Sequence, residues 1–132
     1  MEKVDILLAT YNGEKYIREQ IDSILNQTHK EFRLLISDDG STDKTIEIAK
    51  KFGAHISHFD WVNDFSAARN FSLEQSECDW NLVLDADEYL ISGKRKDIEK
   101  FLDTNEAIGY VERIDYYKED DGAISKSKTF IP

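Results

Sequence analysis

Asp85 and Asp87 stand two residues apart in the stretch WNLVLDADEYL, and Glu88 follows directly. Residues 80–84 read as a buried strand, so a core element ends in three carboxylates. In an extended chain, side chains at i and i+2 point to the same side. Two carboxylates about 6.5 Å apart repel by roughly 2–3 kcal/mol at an effective dielectric near 20. Burying them unpaired costs several kcal/mol more per ion. A divalent cation removes the conflict. Mg2+ or Mn2+ accepts one or two carboxylates and completes its shell with water and phosphate oxygens. Acids past a strand end also form ordinary solvated turns, so the pair needs company to mean more.

Two other polar motifs supply it. Thr10-Tyr11-Asn12 follows the apolar run VDILLA, and Asp38-Asp39 follows FRLLIS. Taken singly, the first reads as strand exit and helix capping. The second reads as a turn with local Asx hydrogen bonds. Chance turns do not explain why all three motifs directly follow apolar runs of strand length.

The elements that must position these residues follow from periodicity. Residues 4–9 form a short apolar strand. Ile17, Ile21, Ile24 and Leu25 then mark one face of a helix. A second strand spans 32–36. Ser41, Thr42 or Asp43 caps a second helix, with Ile46, Ala49 and Phe52 inward and Gly53 at its C-terminal end. A short third strand covers 55–57. Asp64 caps a third helix that turns Phe65, Ala68 and Ser72 to one face. Strand 80–84 comes next, then a short helix near 98–102. Residues 108–117 look extended and pair with 124–131 across Asp121-Gly122. Strand and helix alternate, which predicts an α/β three-layer sandwich with a mostly parallel sheet. The apolar runs are continuous, as strands covered on both faces require. In such sheets ligands bind beyond the carboxyl ends of the strands, where all three motifs fall.

Composition narrows the partners. The 132 residues carry 27 acidic and 17 basic side chains, a formal net charge of -10. Nucleic acid and bare anionic membrane need clustered Lys and Arg, so neither is expected. Cys78 is the sole cysteine and allows no internal disulfide. The opening apolar run is too short for a signal peptide, and no stretch approaches the ~20 apolar residues of a membrane span. The expected location is the cytoplasm, or the cytoplasmic face of a membrane in a longer context.

The texts VDILLATYNGEKYIREQIDSILNQTHKEFRLLISDDGSTDKT, FSAARNFSLEQ and WNLVLDADEYL together resemble the nucleotide-binding half of family 2 glycosyltransferases, of GT-A fold. The resemblance covers most of residues 3–90. It implies a binding domain for a nucleotide-diphosphate sugar of UDP or dTDP type. Thr10, Tyr11 and Asn12 would line the base and ribose pocket. Asp39 would accept from the pyrimidine ring N–H, and Arg69 would reach the nucleotide. Asp85 would contact the ribose or a metal-bound water. Asp87 would coordinate Mg2+ or Mn2+ bridging the diphosphate. The implied reaction is inverting glycosyl transfer to an unspecified acceptor, whether saccharide, lipid-linked saccharide or protein, in cell-envelope polysaccharide synthesis.

The chain departs from the family where the catalytic base is expected, on a later acidic motif. Glu119-Asp120-Asp121 arrives too soon and sits in the hairpin turn, so the base stays unassigned. The 132 residues are therefore expected to be a single GT-A-like domain, incomplete at the C-terminus. Its unpartnered strands would present a sheet edge able to associate with a second copy. Tyr110, Tyr116, Tyr117, Phe130 and Ile131 are candidates for that surface. Two alternatives stand beside transfer. One is a nucleotide-binding fragment without activity. The other rests on LVLDADEYL, which also resembles the signature of haloacid-dehalogenase-like phosphatases, although those open on this strand. His55, His58 and Asp60 have metal-compatible spacing but fit an exposed strand exit better.

Overall fold

A computed structural model describes residues 3–85, 88–91 and 111–131, with side chains in the strands at 111–118 and 127–131 outside the described set. The chain divides into two compact units, Met1–Arg95 and Lys96–Pro132. The expected helix near 98–102 and Tyr110 lie outside the described residues, as do the side chains of Tyr116, Tyr117, Phe130 and Ile131.

In the first unit β1 (Val4–Thr10), β2 (Phe32–Asp38), β3 (His55–His58) and β4 (Trp80–Leu84) alternate with α1 (Ile17–Leu25), α2 (Thr45–Lys51) and α3 (Phe65–Glu74). The sheet order is β3-β2-β1-β4. Every neighbouring pair is parallel, from Val4 opposite Phe32 and Trp80 to Asp38 opposite His58. The chain steps outward from β1 to β3, then crosses back to lay β4 on the far side of β1. That reversal, between β1 and β4, is a topological switch point, the kind of place where open α/β sheets bind ligands beyond the carboxyl ends.

The strand pleat sorts the core. Ile6 and Leu8 of β1, Leu34 and Ile36 of β2 and Leu84 of β4 pack with Ile17, Ile21 and Ile24 of α1 and Ala49 of α2. Odd-numbered positions face the other side, where Leu7 and Leu35 are buried. Asp5 is also buried there. Arg33 grips it with Nε at 2.8 Å and Nη2 at 2.7 Å. Ser76 Oγ donates at 2.7 Å, and the amides of Glu77 and Cys78 at 3.0 and 3.2 Å. The Arg33 bonds, against the cost of burial, hold the Asp5 carboxyl well below the usual carboxylate range. This knot joins β1, β2 and the segment entering β4 at the end of the sheet opposite the polar motifs. Burial, with help from Asp5, pushes the Cys78 thiol up.

The differences from expectation have local causes. β2 runs on to Asp38, so this residue is a strand position paired with Thr10 and His58 rather than part of the turn. α2 starts only at Thr45. The amides of Ser41 and Thr42 are taken by Asp38 and Asn12, and Asp43 Oδ1 accepts the Thr45 amide at 3.0 Å. Leu25 is exposed, because it lies about 40° outside the arc spanned by Gln20 and Ile21 at 100° per residue. Phe65, expected inward, is 83% exposed and meets the Trp61 ring edge-on at 4.9 Å. Gly53 takes a φ of 76°, the left-handed conformation that ends α2.

The second unit is an antiparallel hairpin, β5 (Val111–Lys118) with β6 (Ile124–Ile131), in register from Val111–Ile131 to Lys118–Ile124. The turn closes through Gly122 N–H to the Glu119 carbonyl at 2.9 Å and Ala123 N–H to Asp121 Oδ1 at 2.9 Å. Among the described residues no helix is long and apolar enough to cross a membrane.

Candidate functional site

Parallel pairing brings the three motifs to one edge, since Thr10 faces Asp38 across β1–β2 and Leu84 faces Leu8 across β1–β4. Asp38 is fully buried there. Its Oδ1 accepts from Thr10 Oγ1 at 3.0 Å and Ser41 Oγ at 2.6 Å. Its Oδ2 accepts the amides of Gly40 and Ser41 at 3.1 and 2.8 Å. Both oxygens are thus satisfied, and Asp38 is an internal anchor for the turn.

Asp39 is the opposite case. Its amide continues the pairing to the Thr10 carbonyl at 2.9 Å. Its Oδ1, however, is shut off from water with no hydrogen-bond partner. Burial, and then the charges of Asp38 and Asp60, raise its carboxyl above the usual range. Leaving such an acceptor unmade costs about 1–3 kcal/mol. A donor brought by a ligand would recover that cost.

The loops after β1 and β2 are laced together. Asn12 adopts a φ of 45°, gives its amide to Ser41 Oγ at 2.9 Å and receives the Thr42 amide on Oδ1 at 2.8 Å. Gly13 N–H donates to Thr45 Oγ1 at 2.8 Å and Glu14 N–H to Asp43 Oδ2 at 3.1 Å. Thr10 and Asn12 therefore tie the loops, while the Tyr11 side chain stands exposed. A shallow cavity of about 650 Å³ opens beside Asn12, Glu14, Lys15, Tyr16 and Asp43.

Asp85 is held from several sides. Arg69 Nη2, on α3, meets its Oδ1 at 3.0 Å. Gln20 Nε2, on α1, donates to its carbonyl at 2.6 Å. Its amide reaches Glu88 Oε2 at 2.9 Å, and the Glu88 amide returns to the Asp85 carbonyl at 3.0 Å. Asp87 lies outside the described residues. Carboxylate oxygens suit a hard cation such as Mg2+ or Mn2+. Among the described residues no three acidic, His or Cys groups converge on one point. His55 and His58 are exposed. Trp61 directs its indole N–H to Asn63 Oδ1 at 2.9 Å. Asp121 is engaged in its own hairpin turn.

Asp38 and Gln20 carry more of this geometry than the sequence reading assigns them. Gln20 does leave a signal: a polar residue in the stripe of Ile17, Ile21 and Ile24, buried with them.

Residues 5–131 match the family described as glycosyl transferase family 2. The chain belongs to that family. A TPR repeat-containing protein of Synechococcus elongatus is 36% identical over 110 residues, 83% of this chain and 27% of that protein. The poly(ribitol-phosphate) beta-N-acetylglucosaminyltransferase TarS of Staphylococcus aureus is 33% identical over 110 residues, 78% of this chain and 19% of TarS. The crystal structure of TarS 1–349 in complex with UDP superposes with a TM-score of 0.67 at 32% identity, covering 76% of this chain and 32% of that one. Glucosyl-3-phosphoglycerate synthase of Mycobacterium tuberculosis, solved with Mn2+, UDP and glucosyl-3-phosphoglycerate, gives a TM-score of 0.57 at 26% identity over 65% of this chain and 34% of that one. The fold is of the GT-A type. The chain spans a third or less of the length of the TPR protein and TarS.

Proposed function

We propose that this domain binds a pyrimidine nucleoside-diphosphate sugar along the carboxyl edge of β2, β1 and β4 and serves inverting glycosyl transfer. One observation carries the reading: the water-excluded, unpartnered oxygen of Asp39 at the carboxyl edge of the sheet. A pyrimidine ring N–H is a donor of the right kind for it. Tyr11 offers an exposed aromatic face for the base, and Thr10 and Asn12 hold the pocket wall in shape. Asp85 faces the ribose and diphosphate, with Arg69 orienting its carboxylate and supplying positive charge. Asp85 and Asp87 would hold Mg2+ or Mn2+ together with diphosphate oxygens. Once bound, the cation stabilises negative charge building on the departing diphosphate. The crystal structures of TarS with UDP and of the mycobacterial synthase with Mn2+ and UDP support the same ligand class.

Calorimetric titration with UDP, dTDP and GDP, each with and without Mn2+, tests the proposal. UDP or dTDP is expected to bind more tightly than GDP, and Mn2+ to strengthen the binding. Failure of all three in both conditions removes the nucleotide reading. A binding-only role is favoured by one feature, the engagement of Asp121 in its own turn. Turnover of a UDP-sugar by this chain, abolished by Asp87→Ala, would reject that second reading.

A further inference from the structure

Helix α1 presents two polar side chains to the acidic segment after β4. Gln20 is only 2% exposed. Its Nε2 donates to the Asp85 carbonyl at 2.6 Å, while its Oε1 is buried with no partner. Three residues on, Ser23 Oγ accepts the Leu90 amide at 3.0 Å and donates to the Gln20 carbonyl at 2.7 Å. The i,i+3 spacing places both groups on the same helix face. The helix thus holds the chain at Asp85 and at Leu90. A half-satisfied buried amide is a poor choice for stability alone, since an apolar side chain of similar size would leave no orphan acceptor. Two backbone tethers from one helix suit a site in which Asp85 must keep its place.

We propose that Gln20 and Ser23 are positioning residues that fix the backbone at Asp85 and at Leu90 for a nucleoside diphosphate carrying a divalent cation. The inference rests on the nucleotide reading above. Arg69 sets the direction of the Asp85 carboxylate, whereas Gln20 sets the height of the backbone beneath it. Groups that orient metal-binding side chains from behind are worth about 10- to 100-fold in metal affinity.

The test titrates UDP, with and without Mn2+, into the unsubstituted chain and into Gln20→Leu, Ser23→Ala and Ser23→Thr. Gln20→Leu should weaken the Mn2+-dependent binding about tenfold or more. It should leave metal-free UDP binding unchanged and should not lower the melting temperature, because the orphan acceptor leaves with the amide. Ser23→Ala should act in the same direction, and Ser23→Thr, which keeps the hydroxyl, should restore affinity. Absence of any UDP binding by the unsubstituted chain overturns the nucleotide reading and this inference with it. Mn2+-dependent binding that is equal in the unsubstituted chain and Gln20→Leu overturns this inference alone. So does an equal loss with and without Mn2+, or a loss matched by a lower melting temperature, either of which marks a merely structural role.

Discussion

Replacing Asp39 by Asn should make the ligand-free protein more stable and its nucleotide binding weaker. Asp39 carries a charge that burial and the neighbouring Asp38 and Asp60 disfavour, so its carboxyl titrates above the usual range. The folded chain then binds that proton more tightly than the unfolded chain, and stability falls as pH rises between the two pKa values. Above both pKa values the penalty is fully present, and Asn removes it without changing shape. The melting temperature should rise at pH values above the raised pKa, and the gain should shrink as pH falls through it. Binding runs the other way. A hydrogen bond from a ring N–H to a carboxylate is worth about 1.5–3 kcal/mol, or roughly 10- to 150-fold in Kd at about 1.4 kcal/mol per tenfold. A neutral carbonyl acceptor keeps about half of that energy, so Asn should cost about 3- to 12-fold and Ala the full range. UDP affinity of the unsubstituted chain should also drop on acidification through the same pKa. Thermal melts and calorimetry across pH 4–8 read both effects. If Asp39→Asn melts lower and binds UDP unchanged, Asp39 is an ordinary turn residue and does not contact the base.

Three further outcomes are expected. Asp5→Ala should destabilise by about 3–5 kcal/mol in urea unfolding, because it strips a buried pair and strands its donors. The Asp5 contribution is complete above the ordinary carboxylate range near pH 4 and is lost as pH falls towards its depressed value, so wild type and Asp5→Ala should converge in stability in acid. Ile21→Ala, at a fully buried position between α1 and the sheet, should cost about 2–5 kcal/mol by the same assay. Arg69→Met breaks a half-exposed ion pair and should change stability by less than ~1 kcal/mol. Its UDP affinity should nonetheless fall by about tenfold or more if the guanidinium serves the diphosphate.

The sequence by itself determined the order of elements and the direction of the sheet. Continuous apolar runs such as ILLA and LVL can be buried on both faces only in parallel strands covered by helices, and parallel strands bring their polar tips to one edge. Strand β4 was legible to the residue, and Ile17, Ile21 and Ile24 announced the buried face of α1. Tertiary structure alone decided which neighbouring acid does which job. Asp38 and Asp39 are adjacent and chemically identical, yet the pleat turns one into the Thr10–Ser41 network and leaves the other with an unanswered oxygen. The partners Gln20 and Asp85 are 65 residues apart in the chain, and Arg33 and Asp5 are 28 apart. Local periodicity carries no information about such pairs, because hydrogen bonds depend on where the crossover connections set the helices on the sheet.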